Sequence, residues 1–214
     1  VHTFTIRGIA MNPTSTKTQI LGNLLIYLLK LQAFFLVFTF LGGVVLGIFP
    51  SLATVLDYLV HSLDKKQDDL NLTFSTYKKR WSSYFKSANL LGFSLSALFL
   101  FLVVDLQISK SFLHSLPLHL ALFTLLVLLL GIACYLFPSL TRYNLTVLQH
   151  FKQAAYLFLA NLIPTVAMLA GLLLASALMT LFPILVLIGL VPLLLLPIAH
   201  FALQAMLKVE ANHG

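Results

Sequence analysis

The chain has 214 residues, 60% of them hydrophobic and 9% charged, with a mean hydropathy of +1.00. Soluble domains average about 45–50% apolar and about 25% charged residues, so this composition excludes an ordinary water-soluble globule, a disordered chain and a secreted disulfide scaffold, and it indicates a polytopic membrane protein. The formal charge of +7 arises from 13 basic and 6 acidic residues, and the clustering of the basic ones in one region points to membrane orientation rather than to nucleic acid.

The stretch 1–18 is mixed and polar without the pattern of a cleavable signal peptide, so membrane entry is expected to rely on the spans themselves. A spanning helix needs roughly 20 apolar residues. Five stretches qualify, at about 22–48, 89–108, 117–137, 155–181 and 184–206. The first is interrupted by Lys30 and Gln32, the fourth by Pro164, and the fifth by Pro192 and Pro197, each proline removing an intrahelical hydrogen bond. Backbone groups in lipid must be satisfied within the segment, so the expected fold is all-α: one transmembrane domain over 1–214 with five spanning helices. The lone Cys134 lies in an apolar run and reads as a small core residue.

Between the first two spans, 49–88 is expected to lie outside the membrane. Residues 51–63 suit a short helix after Pro50, 64–71 a charged turn, and 73–86 an amphipathic helix. On that last helix Phe74, Tyr77, Trp81 and Tyr84/Phe85 recur at three- and four-residue steps, while Lys78, Lys79, Arg80 and Lys86 lie mostly off the stripe. Such a helix suits the anionic headgroup level or a protein partner; the patch is too short for a nucleic-acid surface.

Five spans put the termini on opposite sides. Arg7, Lys17 and Lys110 fall on one side; Lys65, Lys66, Lys78, Lys79, Arg80, Lys86, Arg142, Lys152 and Lys208 fall on the other. The positive-inside rule then places the N-terminus outside and the C-terminus in the cytoplasm.

The chain also repeats. Phe49-Pro50-Ser51-Leu52 recurs as Phe137-Pro138-Ser139-Leu140, and Asn89-Leu90-Leu91 recurs as Asn161-Leu162-Ile163. Two parallel helix-hairpin units are expected, with the fifth span unpaired. The residue before proline disfavours helical geometry, so each Phe-Pro is expected to end a span in a bend at the cytoplasmic face, with Asn89 and Asn161 placed to bond carbonyls freed there.

Over about 22–208 the chain resembles the YesL family of bacterial integral membrane proteins. The residues that carry the resemblance are Gly47-Ile48-Phe49-Pro50-Ser51-Leu52, Tyr77-Lys78, Phe85-Lys86, Asn89-Leu90-Leu91-Gly92, Phe137-Pro138, Leu140 and Arg142-Tyr143. The stretch 1–18 falls outside the family pattern, and Tyr143 stands where Phe is expected. The resemblance implies an accessory membrane protein encoded alongside carbohydrate ABC importers in Gram-positive bacteria, in the plasma membrane.

Charges within spans are costly and carry functional hypotheses first. Lys30 and Asp105 stand about 27 and about 24 Å from the cytoplasmic ends of their helices at 1.5 Å per residue. They are expected to form an ion pair or a polar cluster with Gln32 and Gln107, the alternative being separate snorkelling to the headgroups. Trp81, Lys78, Lys79, Arg80 and Arg142 are the candidate contacts for a partner or a lipid. The histidines have no metal-ligand spacing, and no HExxH, GxSxG or Walker A pattern occurs. These features indicate neither an enzyme nor a metal or other cofactor.

Two functions are expected from different classes. One is a non-catalytic accessory subunit of a carbohydrate ABC importer, with membrane lipids and permease subunits as partners. The other is an independent small transporter or channel, for which homo-oligomerisation would build a larger pathway.

Overall fold

The computed structural model describes residues 17–64, 71–113 and 116–213. Among these the chain is helical throughout: α1 (Lys17–Leu41), α2 (Val45–Leu63), α3 (Phe74–Ile108), a π-helical turn (Ser109–Leu113), α4 (Leu116–Arg142), α5 (Val147–Ala160), α6 (Leu162–Leu181) and α7 (Ile184–His213). Most of the stretch 1–18, and Lys65 and Lys66 of the charged turn, lie outside the described residues. Six helices, all but α5, have the length and hydropathy to cross a membrane, the mark of a multi-pass membrane protein. The sixth is α2, largely inside the segment 49–88 expected outside the membrane; its apolar window is 67% buried within the protein, whereas those of α3, α4, α6 and α7 are at most 22% buried.

The first apolar stretch does not run to residue 48. It stops at Leu41 because Gly43 takes a left-handed conformation (φ 72°), with Val44 N donating to Thr39 O (2.9 Å) and Gly43 N to Phe40 O (3.0 Å). That pair of bonds is a Schellman ending, in which glycine carries the positive φ at no steric cost. Val44 follows at φ 61° and ψ −69°, bridged by Val45 N to Gly43 O (2.7 Å), a γ-turn of the strained kind. Gly42 and Gly47 let the two helices leave this turn in contact, since a Cβ on Gly47 would collide with the backbone of Thr39.

Neither Phe-Pro ends a helix: Pro50 lies inside α2 and Pro138 inside α4. Tertiary packing overrides the local preference. Pro50, Ser51, Pro138 and Ser139 are all buried, and the two equivalent rings, Phe49 and Phe137, stack on one another at 6.2 Å and 13°. The two Phe-Pro-Ser runs thus meet in the interior instead of forming two separate corners at a membrane face.

The amphipathic stretch and the second span are one rod. α3 is 35 residues long, about 52 Å at 1.5 Å per residue. A capping box at Thr73 and Thr76 opens it. Part of its stripe faces protein. Tyr77 is fully buried, stacked on Tyr58 (5.8 Å, 7°) and beside Phe38 (4.9 Å). Trp81 packs on Phe38 and donates from Nε1 to Ser51 Oγ (3.1 Å). Tyr77 and Trp81 thus pack on α1 and α2 of the same chain.

The fourth stretch is broken at Asn161 (φ −134°, ψ 53°) into α5 and α6. Pro164 then falls in the first turn of α6, where no intrahelical N–H is required. α5 opens on a second capping box, Thr146 with Gln149. α7 is kinked at Gly189 and continues past residue 206 to His213. α2 lies at the centre, packed on α1, α3, α4 and α7. One apolar cluster joins α1, α2, the start of α3 and α7; the other joins α2, α3, α4, α5, α6 and α7.

Candidate functional site

Three interior polar side chains repair helix defects. Pro50 lacks the N–H that would bond Leu46 O, and Asn89 Nδ2 donates to that oxygen (2.9 Å) and to Phe85 O (2.8 Å). Asn161 Nδ2 donates to Leu157 O (3.1 Å), the carbonyl left open by the α5–α6 break. Gln32 Oε1 accepts from Val191 N (3.1 Å), just past the kink in α7. Tyr135 OH lies 2.9 Å from Thr165 Oγ1, and Ser139 Oγ 2.9 Å from His150 Nδ1. Burial holds the His150 imidazole below its ordinary pKa.

Charge gathers where α2 ends. Its face carries Asp57, His61 and Asp64 at four- and three-residue steps, so all three share one side. Asp57 is fully buried. Its Oδ2 takes a short charge-assisted hydrogen bond from Arg80 Nη1 of α3. His61 Nδ1 lies 3.0 Å from Oδ1 and 2.9 Å from the Asp57 backbone oxygen. The hydrogen-bond geometry belongs to the backbone oxygen, and Oδ1 is left without a hydrogen-bond donor. The Arg80 guanidinium also sits over the Tyr58 ring, 5.7 Å from its centre.

Arg142, at the end of α4, ties three helices. Nη1 donates to Asp64 of α2 (3.0 Å), while Nε and Nη2 form a bidentate pair with Glu210 of α7 (2.7 and 2.8 Å). Tyr143 OH adds a bond to Glu210 (2.8 Å). Burial, and then the Glu210 carboxylate, push the Tyr143 hydroxyl above its usual range.

Of the candidate contacts, Lys78 and Lys79 are exposed on α3, Arg80 is paired, Trp81 faces inward and Arg142 holds the helix ends together. Lys30 and Asp105 form no ion pair, which corrects that expectation: α1 packs chiefly on α2 and α7, and its contacts with α3 fall at Phe34 and Phe38 against Phe74, Tyr77 and Trp81, far from Asp105 in sequence. Lys30 is exposed and Asp105 half-buried. Gln32 leaves the expected cluster to cap α7, and Gln107 is exposed. Among the described residues no three His, Cys, Asp or Glu side chains are grouped to hold a metal ion. The sequence reading missed Asp57, Asp64 and Glu210 as partners. The spacing of the first two was a readable signal, but only the fold brings Arg80, Arg142 and Glu210 to them.

Two hollows accompany these features. One, about 390 Å³, is lined by Tyr58 of α2, by Thr76, Lys79, Arg80, Ser83 and Tyr84 of α3, and by Asn71. The other, about 580 Å³, is an apolar crevice between α6 and α7 with His200 on its wall.

The family described as "Protein of unknown function, DUF624" matches residues 28–106. The uncharacterized protein YesV of Bacillus subtilis (strain 168) is 31% identical over 192 residues, covering 86% of this chain and 88% of YesV. No solved structure matches the chain.

Proposed function

The chain belongs to the family of proteins of unknown function DUF624, and from that premise we propose that it is a non-catalytic accessory subunit that associates, within the bacterial plasma membrane, with the permease of a carbohydrate ABC importer. One observation carries the reading. Three polar side chains of the bundle interior serve the chain's own backbone: Asn89, Asn161 and Gln32 each bond a backbone group left open by a proline, a break or a kink. Such an interior suits a rigid scaffold better than a polar pathway. The outer faces of α4, α6 and α7 present large apolar side chains such as Phe123, Leu173 and Leu187, which suits lateral association in lipid.

In this reading five helices cross the lipid, and α2 is wrapped by protein as the core of the first of two Phe-Pro-Ser units. The polar end that holds Arg80, Arg142 and Glu210 faces the cytoplasm, with the C-terminus, and the N-terminus lies outside. The YesL-type motifs and the sugar-importer context that they imply belong to the same proposal. Deleting the gene tests it: uptake of one sugar falls and is restored by the intact gene, whereas unchanged uptake across a panel of sugars contradicts it.

A small independent transporter is the second reading. It is favoured by the crevice between α6 and α7, next to a helix kinked at Gly189. Solute flux into proteoliposomes holding the purified chain alone would establish it.

A further inference from the structure

We propose that the hollow between α2 and the first turns of α3 binds a phosphate ester, whether carried on a lipid headgroup or free in solution. Its volume, about 390 Å³, is that of a small-ligand pocket. Two cations line it. Arg80 is held in place from behind by the buried carboxylate of Asp57 and from the side by the Tyr58 ring. A planar guanidinium with five donors keeps N–H groups beyond the one that Asp57 takes. Lys79 makes no ion pair with a carboxylate among the described residues and is exposed. Asp57 offsets Arg80, so Lys79 leaves this wall with one uncompensated positive charge, and an oxyanion is the ligand that answers it.

The rest of the lining favours an ester over a bare ion. Ser83 Oγ already gives its proton to a backbone oxygen, Arg80 O (2.7 Å). Its remaining capacity is as an acceptor, which suits a hydroxyl group on the alcohol part of an ester. Tyr84 offers ring surface to its carbon skeleton.

The test uses the full chain with two probes. Glycerol 3-phosphate is titrated against the detergent-purified protein by calorimetry. Retention of phosphatidylglycerol against phosphatidylcholine is read by native mass spectrometry after extraction from nanodiscs holding both. Each is repeated for Lys79→Gln and, as a control on the same helix, Lys86→Gln. Binding of either probe is expected, weakened about tenfold by Lys79→Gln, the equivalent of one charge-assisted hydrogen bond, and unchanged by Lys86→Gln. Glycerol 3-phosphate binding identifies a soluble ester as the source, and selective phosphatidylglycerol retention identifies a headgroup. Equal weakening by both variants means diffuse attraction to a basic surface and overturns the site, as does failure of both probes to bind.

Discussion

The side-chain amide of Asn89 takes the place of the N–H that Pro50 lacks: Nδ2 lies 2.9 Å from Leu46 O, the carbonyl one turn before the proline. A residue on α3 thereby completes α2 across 43 positions of chain. Asn89→Leu removes the donor and is expected to cost about 0.6–2 kcal/mol, the range for hydrogen bonds between membrane helices. In a Pro50→Ala background the backbone N–H returns and the cost shrinks. Thermal unfolding of the four combinations in detergent measures the coupling, and strictly additive losses would show that the two residues do not compensate each other.

Arg142 holds Asp64 and Glu210 together, and the two carboxylates differ in burial: the Asp64 side chain is 4% exposed, that of Glu210 38%. Removing the cation takes a charge-assisted hydrogen bond from a buried carboxylate. Arg142→Gln is therefore expected to approach the roughly 3–5 kcal/mol loss of a broken buried pair, and Glu210→Gln to cost about 1 kcal/mol or less. Equal melting temperatures for the two variants would show that burial does not set the order.

His150 is buried against Ser139 with its pKa lowered by desolvation. The unfolded chain binds a proton on this imidazole near pH 6.5, and the folded chain only at lower pH. The stability that the neutral ring contributes is thus complete above about pH 6.5 and is lost as pH falls through the lowered value. Unfolding followed from pH 7.5 to 5 should show a decline that is shallower in His150→Gln. An identical slope in that variant would assign the decline to other groups.

Val44 carries a positive φ that a β-branched residue adopts only under strain. Such strain costs about 1–3 kcal/mol, and glycine returns up to about 1 kcal/mol of it as unfolded-chain entropy. Val44→Gly is expected to raise the melting temperature, and Val44→Ala, which keeps a Cβ, to give no comparable gain. A lower melting temperature for Val44→Gly would contradict the γ-turn.

Helix content and the apolar segments were legible because lipid demands long runs of one kind. The first reversal was legible too, in Gly42-Gly43, but the apolar run continues through Leu46 and Ile48 and masks it. The Phe-Pro runs misled because a local backbone preference was outweighed by contacts from elsewhere: Asn89 on Leu46, and Phe49 against Phe137. The aromatic stripe of α3 was read with the right period and the wrong neighbour, since periodicity shows that a face is buried without showing in what. Arg80 with Asp57 and Arg142 with Glu210 lie 23 and 68 residues apart, and nothing local in the sequence pairs them.

The most direct measurement is affinity purification of the tagged chain from native membranes in a mild detergent, followed by mass spectrometry. Permease subunits of a single carbohydrate importer are expected in near-equal amount with the chain, and are expected to be lost when α3 carries Lys78→Glu together with Lys86→Glu. Recovery of the chain alone, or with copies only of itself, from membranes that contain the importer would contradict the accessory role.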